Sequence, residues 1–112
     1  MDFNANLTRA SIDLVVLAAL AEGSAYGYLL LKRIHDASRS RHRVTAGTLY
    51  PILHELESEG AVSSRWESVG ERRRKWYDLT AKGRRRLQQD ADEWRAFVSY
   101  VERLLRPALQ SA

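Results

Sequence analysis

The chain is 112 residues long, with 45% hydrophobic and 29% charged residues and a formal charge of +4. That length fits one domain and buries only about two-thirds of the surface its unfolded form exposes, so a long amphipathic helix is expected to seek a partner. The absence of cysteine excludes disulfides and thiolate sites and fits a reducing cytoplasm. No secretory leader is expected, since Met1 is followed by Asp2 and Asn4 where cations would be needed. The apolar run 12–21 is far shorter than the roughly 20 residues that span a bilayer, so no membrane association is expected. Charge is unevenly spread: residues 65–86 hold nine Lys or Arg against three acids, while the remainder holds nine against eleven. A local positive segment on a near-neutral body points to an anionic partner, nucleic acid ahead of membrane, or else to a solvated basic surface.

In chain order, residues 7–21 predict a largely buried helix, capped by Thr8 or Ser11 and stopped at Gly23. A second helix is predicted from about Ser24 or Ala25 to Ala37, with Tyr26, Leu29, Leu30 and Ile34 on one buried face. Residues 38–43, Ser-Arg-Ser-Arg-His-Arg, have no apolar period and read as a loop. Thr45 is the expected N-cap of a third helix over 46–59, ended by Gly60, with Leu49, Ile52, Leu53 and Leu56 inward. Pro51 lies inside it, so either this helix begins late or its opening turn is irregular. Two alternating segments follow, from Val62 to Glu67 and from Arg74 to Leu79, separated by a turn candidate at 68–71; they predict a β-hairpin. Thr80 is the expected cap of a last helix reaching about Arg106, where Pro107 intervenes. Within it Leu87, Ala91, Trp94, Val98, Val101 and Leu105 form a heptad seam, widened by Phe97, Leu104 and Ala108.

Three helices and a hairpin give an α+β, mostly α, winged helix-turn-helix. Residues 1–80 would form the DNA-binding domain and 81–112 the dimerisation helix, in one compact unit. A third helix that enters a major groove must turn polar side chains outward. Inward Leu49, Ile52, Leu53 and Leu56 leave Thr48, Tyr50, His54, Glu55 and Ser58 nearer the outside. The hairpin must be basic near its tip, which Arg72, Arg73 and Arg74 satisfy. Two copies must be held about 34 Å apart to engage successive grooves, which the heptad helix can do. Enzyme chemistry finds no support: His35, His42 and His54 are isolated, and there is no metal-ligand spacing, Gly-rich phosphate loop or acid pair. No metal or cofactor is expected. A rival reading is a winged helix that binds a partner protein, or a dimer that sequesters a small molecule, without operator recognition.

The strings Ala25-Tyr26-Gly27-Tyr28, Gly47-Thr48-Leu49-Tyr50-Pro51-Ile52-Leu53, Leu56-Glu57-Ser58-Glu59-Gly60 and Trp76-Tyr77-Asp78-Leu79-Thr80-Ala81-Lys82-Gly83 resemble PadR-family regulators over residues 7–83. The single last helix is similar to the shorter subfamily, in which that region is one dimerisation helix. The resemblance implies a homodimeric repressor on a near-palindromic double-stranded operator, released by a small aromatic or drug-like effector. Leu29 departs from the acid that relatives often carry after Tyr-Gly-Tyr, so no role of that acid transfers.

Candidate DNA-binding residues are therefore Tyr28, Thr45, Thr48, Tyr50, His54, Arg72, Arg73 and Arg74. For Tyr50 the competing role is a half-buried packing residue, and for Thr48 a helix cap. Tyr28 lies near a helix start, where backbone amides favour phosphate. Lys82, Arg84, Arg85 and Arg86 read as a solvated helix face. Trp94, mid-seam, is either interface packing or, with its mate, the wall of a pocket for a flat apolar ligand.

Overall fold

The first helix starts where a side-chain oxygen reaches back to an amide, and that residue is Asn4. A computed structural model describes residues 1–110. The elements are α1 (Ala5–Ala21), β1 (Ala25–Tyr26), α2 (Gly27–Ala37), α3 (Ala46–Ser58), β2 (Val62–Val69), β3 (Arg72–Leu79) and α4 (Ala81–Gln110). The Asn4 side chain accepts the Asn6 N–H at 2.9 Å, so α1 starts before either expected cap. Thr8 and Ser11 instead donate to the carbonyls of Ala5 and Leu7, each at 3.2 Å, inside the helix.

The expected second helix begins two residues late. Ala25 and Tyr26 are extended and pair antiparallel with Tyr77 and Trp76, which makes the sheet three-stranded in the order β1-β3-β2. Arg33 fixes this entry by donating to the carbonyls of Ala19 (3.1 Å), Gly23 (2.7 Å) and Ser24 (3.3 Å).

In α3, Thr45 occupies the cap position but its hydroxyl makes no capping bond; it donates to Thr48 Oγ1 at 3.3 Å. The Thr45 carbonyl accepts from both Thr48 (3.1 Å) and Leu49 (2.9 Å) amides, so the first turn mixes two hydrogen-bond patterns. The helix does not begin late, and it runs through an exposed Pro51. It ends in a Schellman turn: Ala61 N–H reaches Leu56 O at 2.9 Å, Gly60 N–H reaches Glu57 O at 3.0 Å, and Gly60 has φ +81°.

The hairpin is longer than its expected bounds. Val69 pairs with Arg72, so the connection is only Gly70 and Glu71, with Gly70 at φ +65°. Ser68, Val69, Arg72 and Arg73 are thus ladder residues and not turn. Thr80 caps α4 as expected, accepting the Gly83 N–H at 3.0 Å. The helix passes Arg106 and an exposed Pro107 and continues to Gln110.

One core joins these elements, with Val16, Leu17 and Leu20 of α1 packed among Leu30, Leu49, Leu53 and Leu56. The distal half of α4 lies outside it. The chain measures 62 × 31 × 20 Å and has a radius of gyration of 16.5 Å, against about 13–14 Å for a compact chain of this length. Among the described residues, no helix is long and apolar enough to cross a membrane.

Gly83 is the tightest junction. A Cβ on it would lie 2.0 Å from the backbone oxygen of Ala61. Gly83→Ala should therefore cost about 2 kcal/mol, despite alanine's better helix propensity, and lower Tm by about 10 °C. Denaturant and thermal unfolding measure this, and a neutral or stabilising effect would contradict so tight a contact.

Candidate nucleic-acid interface

Alternation along the hairpin sorts its side chains into two sets. Trp66 pairs with Lys75, so Trp66, Arg73, Lys75 and Tyr77 share one face; Arg74 and Trp76 share the other with Tyr26. Rings hold the cations in place. The Arg73 guanidinium lies 5.1 Å from the Trp66 ring centroid, Arg74 4.3 Å from Tyr26, and the Lys75 ammonium 5.6 Å from Tyr77. Tyr26 and Trp76 meet edge to face at 5.1 Å. Lys75 also approaches Glu57 of α3 at 3.9 Å. Arg72, nearest the tip, has no ion-pair or ring partner for its guanidinium among the described residues.

Between this wing and the helices lies an open concavity of about 750 Å³. Its cations are Arg72, Arg73, Arg74 and Lys75, and its rings are Tyr26, Tyr28, Tyr50, Trp66 and Tyr77. Tyr28 is 70% exposed and Tyr50 46%. Tyr50 lies over the backbone of Gly27, where an added Cβ would be 2.1 Å from its hydroxyl oxygen. The missing side chain at Gly27 is what lets the ring lie there.

The helix α3 turns Leu49, Leu53 and Leu56 inward and leaves Thr45, Thr48, Tyr50, His54, Glu55 and Ser58 exposed. Of the eight candidate residues, Tyr28, Tyr50, Arg72, Arg73 and Arg74 share the wing-side concavity. Thr48 lies about 200° around α3 from Tyr50 and lines a smaller hollow on the opposite flank. Thr45 and His54 line neither.

Residues 16–89 match the Transcriptional regulator PadR-like family. The chain belongs to that family. A transcriptional regulator of Mycobacterium tuberculosis is 38% identical over 82 residues, covering 73% of this chain and 74% of the relative. A PadR family transcriptional regulator from Eggerthella lenta superposes with a TM-score of 0.80 at 36% identity, covering 90% of this chain and 87% of that one. A transcriptional regulator from Clostridium thermocellum gives a TM-score of 0.82 at 26% identity, covering 88% and 97%.

In this PadR-like chain the C-terminal seam divides. Leu87 is half-buried and packs on the chain's own core, and Ala91 and Val101 are half-buried. Trp94, Val98 and Leu105 are exposed, flanked by exposed Phe97, Tyr100 and Leu104. Trp94 and Phe97 line a groove of about 500 Å³ between α4 and α1, with Leu14, Asp13, Arg86 and Asp90. Arg86 is not on a solvated face. It is half-buried and joins Asp13 (3.0 Å), Asp90 (3.4 Å) and Glu59, tying α4 to α1 and to the end of α3. Lys82, Arg84 and Arg85 are exposed, as read from the sequence.

The candidate set omitted Trp66, Lys75, Tyr26 and Tyr77. Trp66 is 58% exposed, and its signal is a large apolar residue on a strand end that the core does not reach. The partnership of Tyr26 with Trp76 depends on β1, which has no sequence pattern of its own.

Burial, with Tyr50 and Glu57 nearby, pushes the Tyr77 phenol above its ordinary value of 10.0. The folded state thus prefers the neutral phenol. Its contribution to stability is complete below pH 10 and declines as pH rises through the unfolded value toward the folded one. Stability measured across pH 9–12 (a range set by that value of about 10) should show this alkaline decline, and Tyr77→Phe should flatten it. An identical decline in the variant would assign it to other groups.

Proposed function

We propose that the chain is a homodimeric repressor that binds a near-palindromic double-stranded DNA operator in the cytoplasm and is released by a small aromatic or drug-like effector. One observation carries the reading: the exposed face of α3 stands beside a concavity lined by four cations and five rings. A major groove admits one helix, whose polar side chains read base edges, while cations beside it engage phosphates. Thr48, Tyr50 and His54 are the proposed reading residues, with Thr45 and Tyr28 at the rim and Arg72, Arg73 and Arg74 on the backbone or in the minor groove.

The dimer reading rests on the exposed apolar face of α4, formed by Trp94, Phe97, Val98, Tyr100, Leu104 and Leu105. The heptad spacing makes a second copy of the same helix the natural cover. On this reading residues 1–80 are the reading head and 81–112 hold two heads at operator spacing. Repression is steric: the bound dimer occludes a promoter, and an effector changes the spacing of the heads.

Two measurements test these parts separately. Val98→Glu should leave helical content intact, shift sedimentation from dimer to monomer at micromolar concentration, and weaken operator binding by about 100-fold or more, since one head holds one half-site. A variant that sediments as monomer yet binds operator like the wild type would refute the dimer mechanism. Trp94→Ala should weaken effector-induced release far more than DNA binding; equal losses would argue against a ligand wall at Trp94.

A further inference from the structure

The basic loop between α2 and α3 has no part in the scheme above. Residues 38–43 contain Arg39, Arg41, His42 and Arg43 and no acid. The loop is shaped, not slack. Its backbone turns through Arg39 and Ser40 at φ +53° and +67°, closed by Ser40 N–H to His35 O at 2.9 Å, and the Ser38 hydroxyl accepts the His42 N–H at 3.0 Å. The chain's first residues dock onto it. Phe3 N–H donates to Arg41 O at 2.9 Å, Arg41 Nε donates to Met1 O at 3.0 Å, and the Arg41 guanidinium covers the Phe3 ring at 4.1 Å. Asp2 approaches Arg43 Nε at 3.6 Å, an exposed pair.

Position gives this patch its meaning. Arg43 and His42 line, with Arg9 and Thr48, a hollow of about 220 Å³ on the flank of α3 away from the wing. The helix thus has cations on both flanks: Arg72 to Lys75 beside Tyr50, and Arg9 and Arg43 beside Thr48. A helix lying in a major groove is bordered by two phosphate backbones, one on each side.

We infer that Arg41 and Arg43 form a second phosphate-binding surface, which grips the DNA strand opposite the one held by the wing, with the N-terminal segment holding them in place. Asp2 is the intramolecular competitor for Arg43 that this strand displaces. The inference rests on the DNA-binding reading above and adds residues it does not contain.

Phosphate contacts carry no sequence information, so their loss weakens binding evenly and flattens the salt dependence. The full chain is titrated over a potassium chloride series against two duplexes: one enriched by the wild type from a random pool, and a scrambled duplex of equal length. Arg41→Ala with Arg43→Ala should weaken binding to both duplexes by at least about tenfold and preserve their ratio. It should reduce the slope of log K against log salt by about two per protomer. Asp2→Asn should raise affinity for both duplexes a few-fold. Arg84→Ala with Arg85→Ala removes the same charge from an exposed stretch of α4 and should leave the slope unchanged. Arg43→Gln alone disturbs only the exposed pair with Asp2, so it keeps the test valid if the double variant unfolds, and should reduce the slope by about one. An unchanged slope in the loop variants, or an equal fall in the α4 control, overturns the inference while leaving DNA binding by the wing intact. A wild type that binds neither duplex overturns the DNA reading itself, and this surface with it.

Discussion

The Ala61 carbonyl is the point on which the geometry of the whole chain depends. It accepts the Thr80 N–H at 3.1 Å, and the bare Cα face of Gly83 presses against it. The Thr80 hydroxyl donates to Gly60 O at 2.6 Å and accepts from Gly83 N–H. Within a few residues, the end of α3, the start of β2, the end of β3 and the start of α4 are fastened to one another through backbone atoms and the Thr80 hydroxyl. A junction of side chains could be adjusted by rotamer changes. Here the closest contact, Gly83 against the Ala61 carbonyl, is backbone against backbone, which limits how far the end of α3 can shift against the start of α4. The carboxylates of Asp13, Glu59 and Asp90 around Arg86 brace the same corner from outside.

The arginines separate into two groups by what faces them. Arg33 and Arg86 are half-buried and spend their donors on carbonyls and carboxylates of the same chain. Arg65 is exposed but engaged by Glu67 and Asp78; the Glu67 hydrogen bond leads the interactions that raise its pKa, although arginine is charged throughout in any case. Arg73 and Arg74 near the wing tip instead lean on rings, which orient a guanidinium without neutralising it. A cation on a ring keeps its full charge for an anionic partner, whereas one on a carboxylate does not. Net charge alone cannot draw this distinction.

Much of this was legible in the sequence, and the exceptions have identifiable causes. The inward stripe of α3, the Gly60 stop and the Thr80 cap are local patterns, and each stands where periodicity and capping chemistry put it. The PadR-like motifs located the same elements. The strand readings failed where pairing depended on a distant strand, whereas the α1 cap at Asn4 and the α4 end at Gln110 were missed locally. Ala25 and Tyr26 are a strand because Tyr77 and Trp76 offer them an edge, and two residues are too few to alternate. The hairpin outran its expected bounds because ladder pairing carried Ser68 and Arg73 into register past the last core-facing residue. In the candidate site, the run of three arginines was visible as charge. The rings that position it were not, since Tyr26 and Trp66 lie 40 residues apart in sequence and come to line one concavity only in the folded chain.

The rigid corner also restricts how the proposed regulation can work. If α3 cannot tilt against α4, an effector bound near Trp94 cannot act by loosening one reading head within its own protomer. In the proposed dimer, the remaining freedom is the crossing of α4 against its mate. The exposed apolar half of α4 lies far from the core in a chain 62 Å long, so a small rotation there is carried by a long lever. Two helices packed through Trp94, Val98 and Leu105 have few discrete ways to interdigitate, and a flat ligand between the tryptophans would favour one over another. If the heads of the proposed dimer turn as rigid bodies, that change would reach both α3 helices at once, and DNA affinity would respond to head spacing and not to any change in the surface proposed to touch DNA.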